Sequence, residues 1–410
     1  MSIPHVDVII VGGGPGGATA ALRLADSGLK VVVLEKATFP RDKICGDALS
    51  GKVVSVLKYT RPELVDELYQ FQPKLGSWGI RFISPNRTTL DIPFKLDRSG
   101  MTHAPGFISK RVDFDEFLWR QLANFDHIET YQGEAVTEIK RSRDHAWVKT
   151  TSREWTCSVV IGADGAHSVV NKQLGQIKVE KNHYCAGIRA YYAGVSGFHE
   201  ENFIELQFLQ ELLPGYFWIF PLPNGRANVG LGMLSRDVSR HKVNLKERLK
   251  EVVASHPELA PRFKDARLEG KITGFGLPLG SKKRPISGDK FMLVGDAASL
   301  IDPFSGEGIG NAMLSGKIAA ETILNLRDSD FTAEDLRVYD QAVYKKIWQE
   351  LAISRKMQQL VNYPWLFNFI ARKANRNEAL RSMMTMMFDN LDIRKELSKP
   401  GFYWKLFTGR

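Results

Sequence analysis

The chain has 410 residues, 43% of them hydrophobic and 25% charged, a balance that excludes a disordered or collagen-like protein. That length exceeds one ordinary core and points to two intertwined domains or one domain with a large insertion. Net charge is +10 but uneven, with eleven Lys/Arg against four Asp/Glu in residues 351–410. This suits a solvated helical face or contact with an anionic membrane surface, and no nucleic-acid-binding motif accompanies it.

No apolar run reaches membrane-spanning length. The first residues lack the basic start and cleavage site of a signal peptide. Cys45, Cys157 and Cys185 have no metal-ligand spacing and are too few for a disulfide framework. The expectation is a reducing, cytoplasmic setting with no metal.

Residues 6–11 are an apolar run broken only by Asp7 and read as a buried parallel strand. The strand runs into Gly12-Gly13-Gly14-Pro15-Gly16-Gly17, which matches G-x-G-x-x-G at Gly12, Gly14 and Gly17. Gly12 makes the tight turn, Gly14 lets backbone approach a pyrophosphate, and Gly17 lets the next helix pack close to the strand. That helix, over 16–27 and closed by Gly28, turns free N–H groups and a positive dipole end toward the phosphates. Residues 30–34 complete a β-α-β unit, and Glu35 ends it where a carboxylate accepts hydrogen bonds from an adenosine ribose.

From about 57 to 107 the chain reads as irregular, punctuated by Pro62, Pro73, Pro85, Pro93 and Pro105. Residues 114–124 read as an amphipathic helix, 135–140 with 146–151 as a hairpin, and 158–161 as another buried strand. Alternating aromatic and apolar residues over about 175–270 predict the antiparallel sheet of a second domain. Within it Tyr216, Trp218 and Phe220 share one strand face at period two, as a pocket wall or as packing against the first domain. Residues 290–294 return to a buried strand, 308–326 read as a long helix rich in small residues, and the remainder is mostly helical.

Two strands end in Gly/Asp turns, Gly162-Ala163-Asp164-Gly165 and Gly295-Asp296. Each sets an aspartate past the carboxyl end of a buried strand, where ligands bind in open α/β sheets. An aspartate there suits the ribityl chain of FAD. Pro303-Phe304-Ser305-Gly306-Glu307-Gly308-Ile309-Gly310 then enters a helix, giving a second anion site suited to the charge of a reduced flavin. A dehydrogenase using NAD alone needs no such site, so the cofactor reading is FAD. No second strand-borne G-x-G-x-x-G follows, so NAD(P)H or a reduced redox protein is expected to visit as electron donor.

In order and spacing these stretches resemble the para-hydroxybenzoate-hydroxylase-like flavoproteins over about residues 5–326. Arg111, in Ser109-Lys110-Arg111-Val112-Asp113, matches that superfamily's FAD-contacting arginine, and Ala135-Val136 its adenine-contacting strand. Within the superfamily the chain is most similar to the geranylgeranyl reductase family. The likeness rests on Cys45-Gly46-Asp47-Ala48-Leu49-Ser50 and on Tyr216-Phe217-Trp218-Ile219-Phe220-Pro221, followed by Asn228-Val229-Gly230-Leu231-Gly232. Leu222 and Asn171 depart from the family pattern, where basic residues are common.

The resemblance implies an α/β fold: a Rossmann-like FAD domain of the glutathione-reductase type over 1–75, 105–174 and 271–330. An α+β antiparallel-sheet substrate domain is interleaved at 76–104 and 175–270, with a C-terminal helical cap over 331–410. It implies FAD contacts at Gly12, Gly14, Gly16, Gly17, Glu35, Lys36, Arg41, Cys45, Gly46, Ala48, Arg111, Ala135, Asp164, Asp296, Gly306, Gly308 and Ile309. The implied activity is hydrogenation of isolated carbon–carbon double bonds in a prenyl lipid or quinone. Tyr216, Trp218 and Phe220 would line the pocket, and Cys45 is either a proton donor or an inert buried thiol. The rival activity is FAD-dependent hydroxylation of an aromatic or lipid substrate. Aromatic residues at 363–370, followed by basic ones, predict a helical cap or shallow seating on the inner face of a membrane.

Overall fold

A computed structural model describes residues 3–377, 380–382 and 384–385. Of the basic residues counted over 351–410, those from Arg394 onward lie outside the described residues.

β-Branched runs build the first sheet. Strand His5–Val11 pairs in parallel with Val31–Glu35 on one side and Glu154–Gly162 on the other. Ile128–Gln132 extends one edge, Phe291–Leu293 and Ser287–Gly288 the other. Val8, Ile9, Ile10, Val32, Val33, Val159, Val160 and Ile161 are wholly buried, as strands covered on both faces require. The hairpin Val136–Arg141/Ala146–Thr150 attaches to Glu154–Gly162. Helix Pro15–Leu24 is shorter than the expected 16–27, and Gly28 takes its positive φ in the turn beyond it. It packs on helix Ile309–Asn325 through small residues, and a methyl group on Gly316 would collide with the Gly16 carbonyl.

The second sheet has seven strands, in the order Arg267–Pro278, Tyr184–Ala193, Arg226–Leu234, Tyr216–Leu222, Ile204–Gln207, Gly79–Ile83, Thr89–Pro93. All neighbours are antiparallel except Ile204–Gln207 with Gly79–Ile83, a parallel pair that the alternation alone did not predict. Period two divides its residues. Phe217, Ile219, Val229 and Leu231 pack under helix Leu245–Ser255. Tyr191, Trp218 and Phe220 belong to an opposite cluster with Phe82, Phe208, Phe304 and Phe367.

Residues 57–107 are more regular than expected. Helices Gly51–Thr60 and Glu63–Gln70 are followed by Leu75–Ser77, Gly79–Ile83, Thr89–Pro93 and Gly106–Ile108. The prolines lie at element ends: Pro62 is the N-cap of the second helix, and Pro93 closes an edge strand, where a missing N–H costs least. Helix Ala333–Leu360 starts from a capping box between Thr332 and Asp335. Helix Pro364–Arg376 follows and sets Phe367 edge-on against Phe208, 4.8 Å between centroids. Among the described residues no helix is long and apolar enough to cross a membrane.

Candidate functional site

At the end of His5–Val11 the backbone turns at Gly12, whose φ of +105° and contact with the Ala163 carbonyl leave no room for a side chain. A methyl on Gly17 would collide with the Gly12 carbonyl, so helix and turn touch directly. Glu35 is buried at the end of its strand. Its Oε2 accepts from Gly13 N–H (3.1 Å) and Arg41 Nη2 (3.2 Å), and its Oε1 from Ala37 N–H (3.0 Å).

Arg41 also reaches Asp115 Oδ2 at 2.7 Å, while Arg111 grips the same carboxylate with two bonds of 2.5 and 2.6 Å. Burial works against the Arg111 charge, but the Asp115 carboxylate outweighs it and holds the pKa above the usual arginine value. The open side of Gly14 faces both guanidinium groups, 3.5 Å to Arg41 Nη2 and 3.8 Å to Arg111 Nη2 from where a Cβ would stand. Two cations therefore converge on a helix N-terminus, an arrangement that suits a diphosphate.

Farther along, Asp164 Oδ2 accepts from Val169 N–H (2.6 Å) and Val170 N–H (3.3 Å), while its buried Oδ1 has no hydrogen-bond partner. Burial raises its pKa. Glu134 Oε2 is likewise buried without a partner. Asp296 pairs with Lys43 at 3.1 Å. Gly306, at φ +77°, leaves space that the Tyr216 hydroxyl approaches. The first N–H groups of helix Ile309–Asn325 are not all open: Gly310 donates to Glu307 Oε1 at 2.7 Å.

These groups line one cavity of about 870 Å³. Every candidate FAD contact lines it except Gly17, which packs behind the turn. The same wall carries Phe94, Phe107, Phe220, Phe275, Phe304 and Met357. Of the three strand aromatics only Phe220 is on this wall. Trp218 is buried behind it, 6.2 Å between centroids, and Tyr216 lines a small neighbouring pocket. Cys45 is half-buried in the wall, and burial pushes its thiol pKa up against the pull of Arg111. Gly46 abuts the Phe220 ring, 2.8 Å from where a Cβ would stand.

The donor set fits FAD. It offers two guanidinium groups and a helix N-terminus for the pyrophosphate, a strand-end carboxylate for ribose, unpartnered buried oxygens on Asp164 and Glu134, and a cavity of ligand size. Among the described residues no cluster of His, Cys, Asp or Glu is arranged to hold a metal.

Sequence reasoning did not single out Asp115, Glu134, Glu307, Asp47 or Asn228. Asp115 had a local signal, its i,i+4 spacing from Arg111. Asp47 and Asn228 lie in the two motifs that carry the family likeness, but their pairing across 181 positions had no local signal.

Comparison with known proteins agrees with this geometry. The family model described as "FAD binding domain" matches residues 5–320. The menaquinone reductase of Mycobacterium tuberculosis is 28% identical over 400 residues, 94% of this chain and 91% of that protein. The digeranylgeranylglycerophospholipid reductase of Thermoplasma acidophilum is 29% identical over 351 residues, 83% of each chain. The crystal structure of a geranylgeranyl bacteriochlorophyll reductase-like protein from T. acidophilum superposes with a TM-score of 0.78 at 22% identity, over 97% of this chain and 99% of that one.

Proposed function

The chain belongs to the FAD-binding-domain family and is an FAD-dependent oxidoreductase, and on that premise we propose that it hydrogenates carbon–carbon double bonds of a prenyl lipid or quinone. One observation carries the reading: a single cavity is lined both by the charged glycine turn and by a set of Phe and Met side chains. A prenyl chain offers no polar group to recognise, and an adaptable aromatic and thioether wall is the chemistry that selects it. Similarity to proteins named as reductases of menaquinone and of a digeranylgeranyl lipid supports it.

In this reading Arg41, Arg111 and the N-terminus of Pro15–Leu24 hold the pyrophosphate, Glu35 the ribose, and Lys36 and Ala135 the adenine end. Asp164 takes the ribityl chain, with Cys45, Gly46, Ala48, Asp296, Gly306, Gly308 and Ile309 around the ring. FAD, when bound, supplies hydride to one alkene carbon. Cys45 Sγ, kept protonated at neutral pH by burial, holds a proton for the other. Phe220 faces positive character at the tertiary carbon, with the Trp218 and Tyr216 rings behind it. NAD(P)H or a reduced redox protein restores the electrons.

Helix Pro364–Arg376 seats the protein peripherally on the anionic inner face of a membrane. Trp365 (70% exposed), Phe369 (49% exposed), Arg372 and Arg376 recur on one helical stripe, aromatic anchors beside cations.

The test is product mass. Incubated anaerobically with a chemical reductant and a geranylgeranyl lipid that carries no quinone, the FAD-loaded enzyme yields a product heavier by two hydrogens per reduced bond. Product that appears only with oxygen and is heavier by one oxygen atom refutes the reductase and establishes the hydroxylase.

A further inference from the structure

The cavity wall holds a carboxylate tied to several separate elements. Asp47 is wholly buried and stands at φ +69°, a conformation that Asp and Asn tolerate better than most residues. Its Oδ2 accepts from Tyr191 Oη (2.7 Å) and Asn228 Nδ2 (2.8 Å), and its Oδ1 from Arg111 N–H (3.3 Å). The Asn228 amide is held in one orientation, because Nδ2 also donates to the Cys45 carbonyl (2.7 Å) and Oδ1 accepts from Trp218 Nε1 (2.9 Å). Arg189 and Lys110 lie against the Tyr191 ring, 4.1 and 4.4 Å from its centroid, and Arg189 reaches Asp42 at 2.8 Å. The loop bearing Cys45 is thus fastened to strands Tyr184–Ala193 and Arg226–Leu234 at Asp42, Cys45 and Asp47.

We propose that Asp47 is a positioning residue whose carboxylate, acting through Tyr191 and Asn228, holds the Cys45 thiol and the Trp218 indole in working register. Three donors converge on Asp47, and an ionised carboxylate accepts from all of them as they stand. An Asn here has one acceptor oxygen, and its NH₂ must face a donor. The titratable and charged groups around it are Tyr191 and Arg189 on the facing strand, Lys110 beside Tyr191, Asp42 and Cys45 on its own loop, and Arg111. Burial outweighs the stabilising Tyr191, Asn228 and Arg189 and lifts Asp47 to about 6. Protonation turns an acceptor into a donor and releases one of the three bonds.

The inference rests on the reductase reading only in its turnover arm. The test uses full-length, FAD-loaded protein carrying Asp47→Asn or Tyr191→Phe. Cys157 and Cys185 are buried, so iodoacetamide labelling located by peptide mass reports on Cys45. Both substitutions are expected to speed Cys45 labelling at neutral pH about tenfold as the loop loosens. With prenyl lipid and reductant, Asp47→Asn lowers kcat about tenfold with less change in KM. Wild-type turnover declines as pH falls through about 6, and that limb is absent in Asp47→Asn. Faster labelling in Asp47→Asn alone signifies only the loss of a neighbouring charge and overturns the proposal, as does an unchanged acid limb. If no form reduces prenyl lipid but both variants expose Cys45, the reductase reading fails and the positioning role stands.

Discussion

Asp115 answers two arginines at once, and through them it sets the charge that the first glycine turn presents. Arg41→Ala removes one of the two cations over Gly14 and leaves Asp115 and Glu35 each short of a partner. FAD affinity, measured by fluorescence titration of apoprotein, is expected to fall about 10- to 100-fold, or about 1–3 kcal/mol. Unchanged affinity would detach Arg41 from the cofactor.

Asp47 makes a prediction of opposite character. Its folded pKa of about 6 lies above the ordinary 3.8. The native state therefore binds the proton more tightly, and stability rises as pH falls from about 6 toward 3.8. At pH 7 the buried charge costs about 3 kcal/mol. Denaturant unfolding should show wild type gaining stability relative to Asp47→Asn as pH falls from 7 to 4. A pH-independent difference would contradict the raised pKa.

The glycines of the first turn were legible because each answers a local steric demand. The Asp47–Tyr191–Asn228 network was not, since its members are 144 and 181 residues apart and nothing periodic links them.

Helix Ala333–Leu360 contributes Ile353 and Met357 to the cavity wall and starts from the Thr332/Asp335 box. Thr332→Ala should lower stability by about 1 kcal/mol in denaturant unfolding and leave FAD affinity unchanged. A loss of cofactor would place the helix start nearer the site than the geometry does. Helix Pro364–Arg376 carries the membrane prediction. Flotation with vesicles containing anionic lipid should recover wild type, with Trp365→Ala/Phe369→Ala reduced about tenfold or more and Arg372→Glu/Arg376→Glu reduced similarly at low salt. Equal recovery of all three would refute the docking.

The strands of the first sheet could be read because burial on both faces forces continuous β-branched runs. Residues 57–107 could not, because five prolines suggested an interrupted chain, whereas Pro62 and Pro93 stand at element ends. The aromatic alternation at 216–220 identified a strand and its two faces. It could not say that Trp218 would be covered by Asn228 and Phe220 left on the wall.

At the scale of the molecule, two sheets divide the work. The parallel sheet gathers the glycine turn, Asp164 and Asp296 at the carboxyl ends of its strands. The second sheet lays an aromatic face over them, and the loop from Asp42 to Asp47 fastens the two together. The order of the second sheet, including its parallel pair, depends on contacts between residues about 80 and 204 that no local pattern encodes. In the proposed reaction this one cavity brings a flavin and a prenyl double bond together. The most direct measurement mixes anaerobically pre-reduced, FAD-loaded enzyme with a geranylgeranyl lipid that carries no quinone and follows the flavin's visible absorption. The oxidised spectrum is expected to return without oxygen, in proportion to the bonds reduced; a spectrum that stays bleached until oxygen is admitted would rule the reductase out.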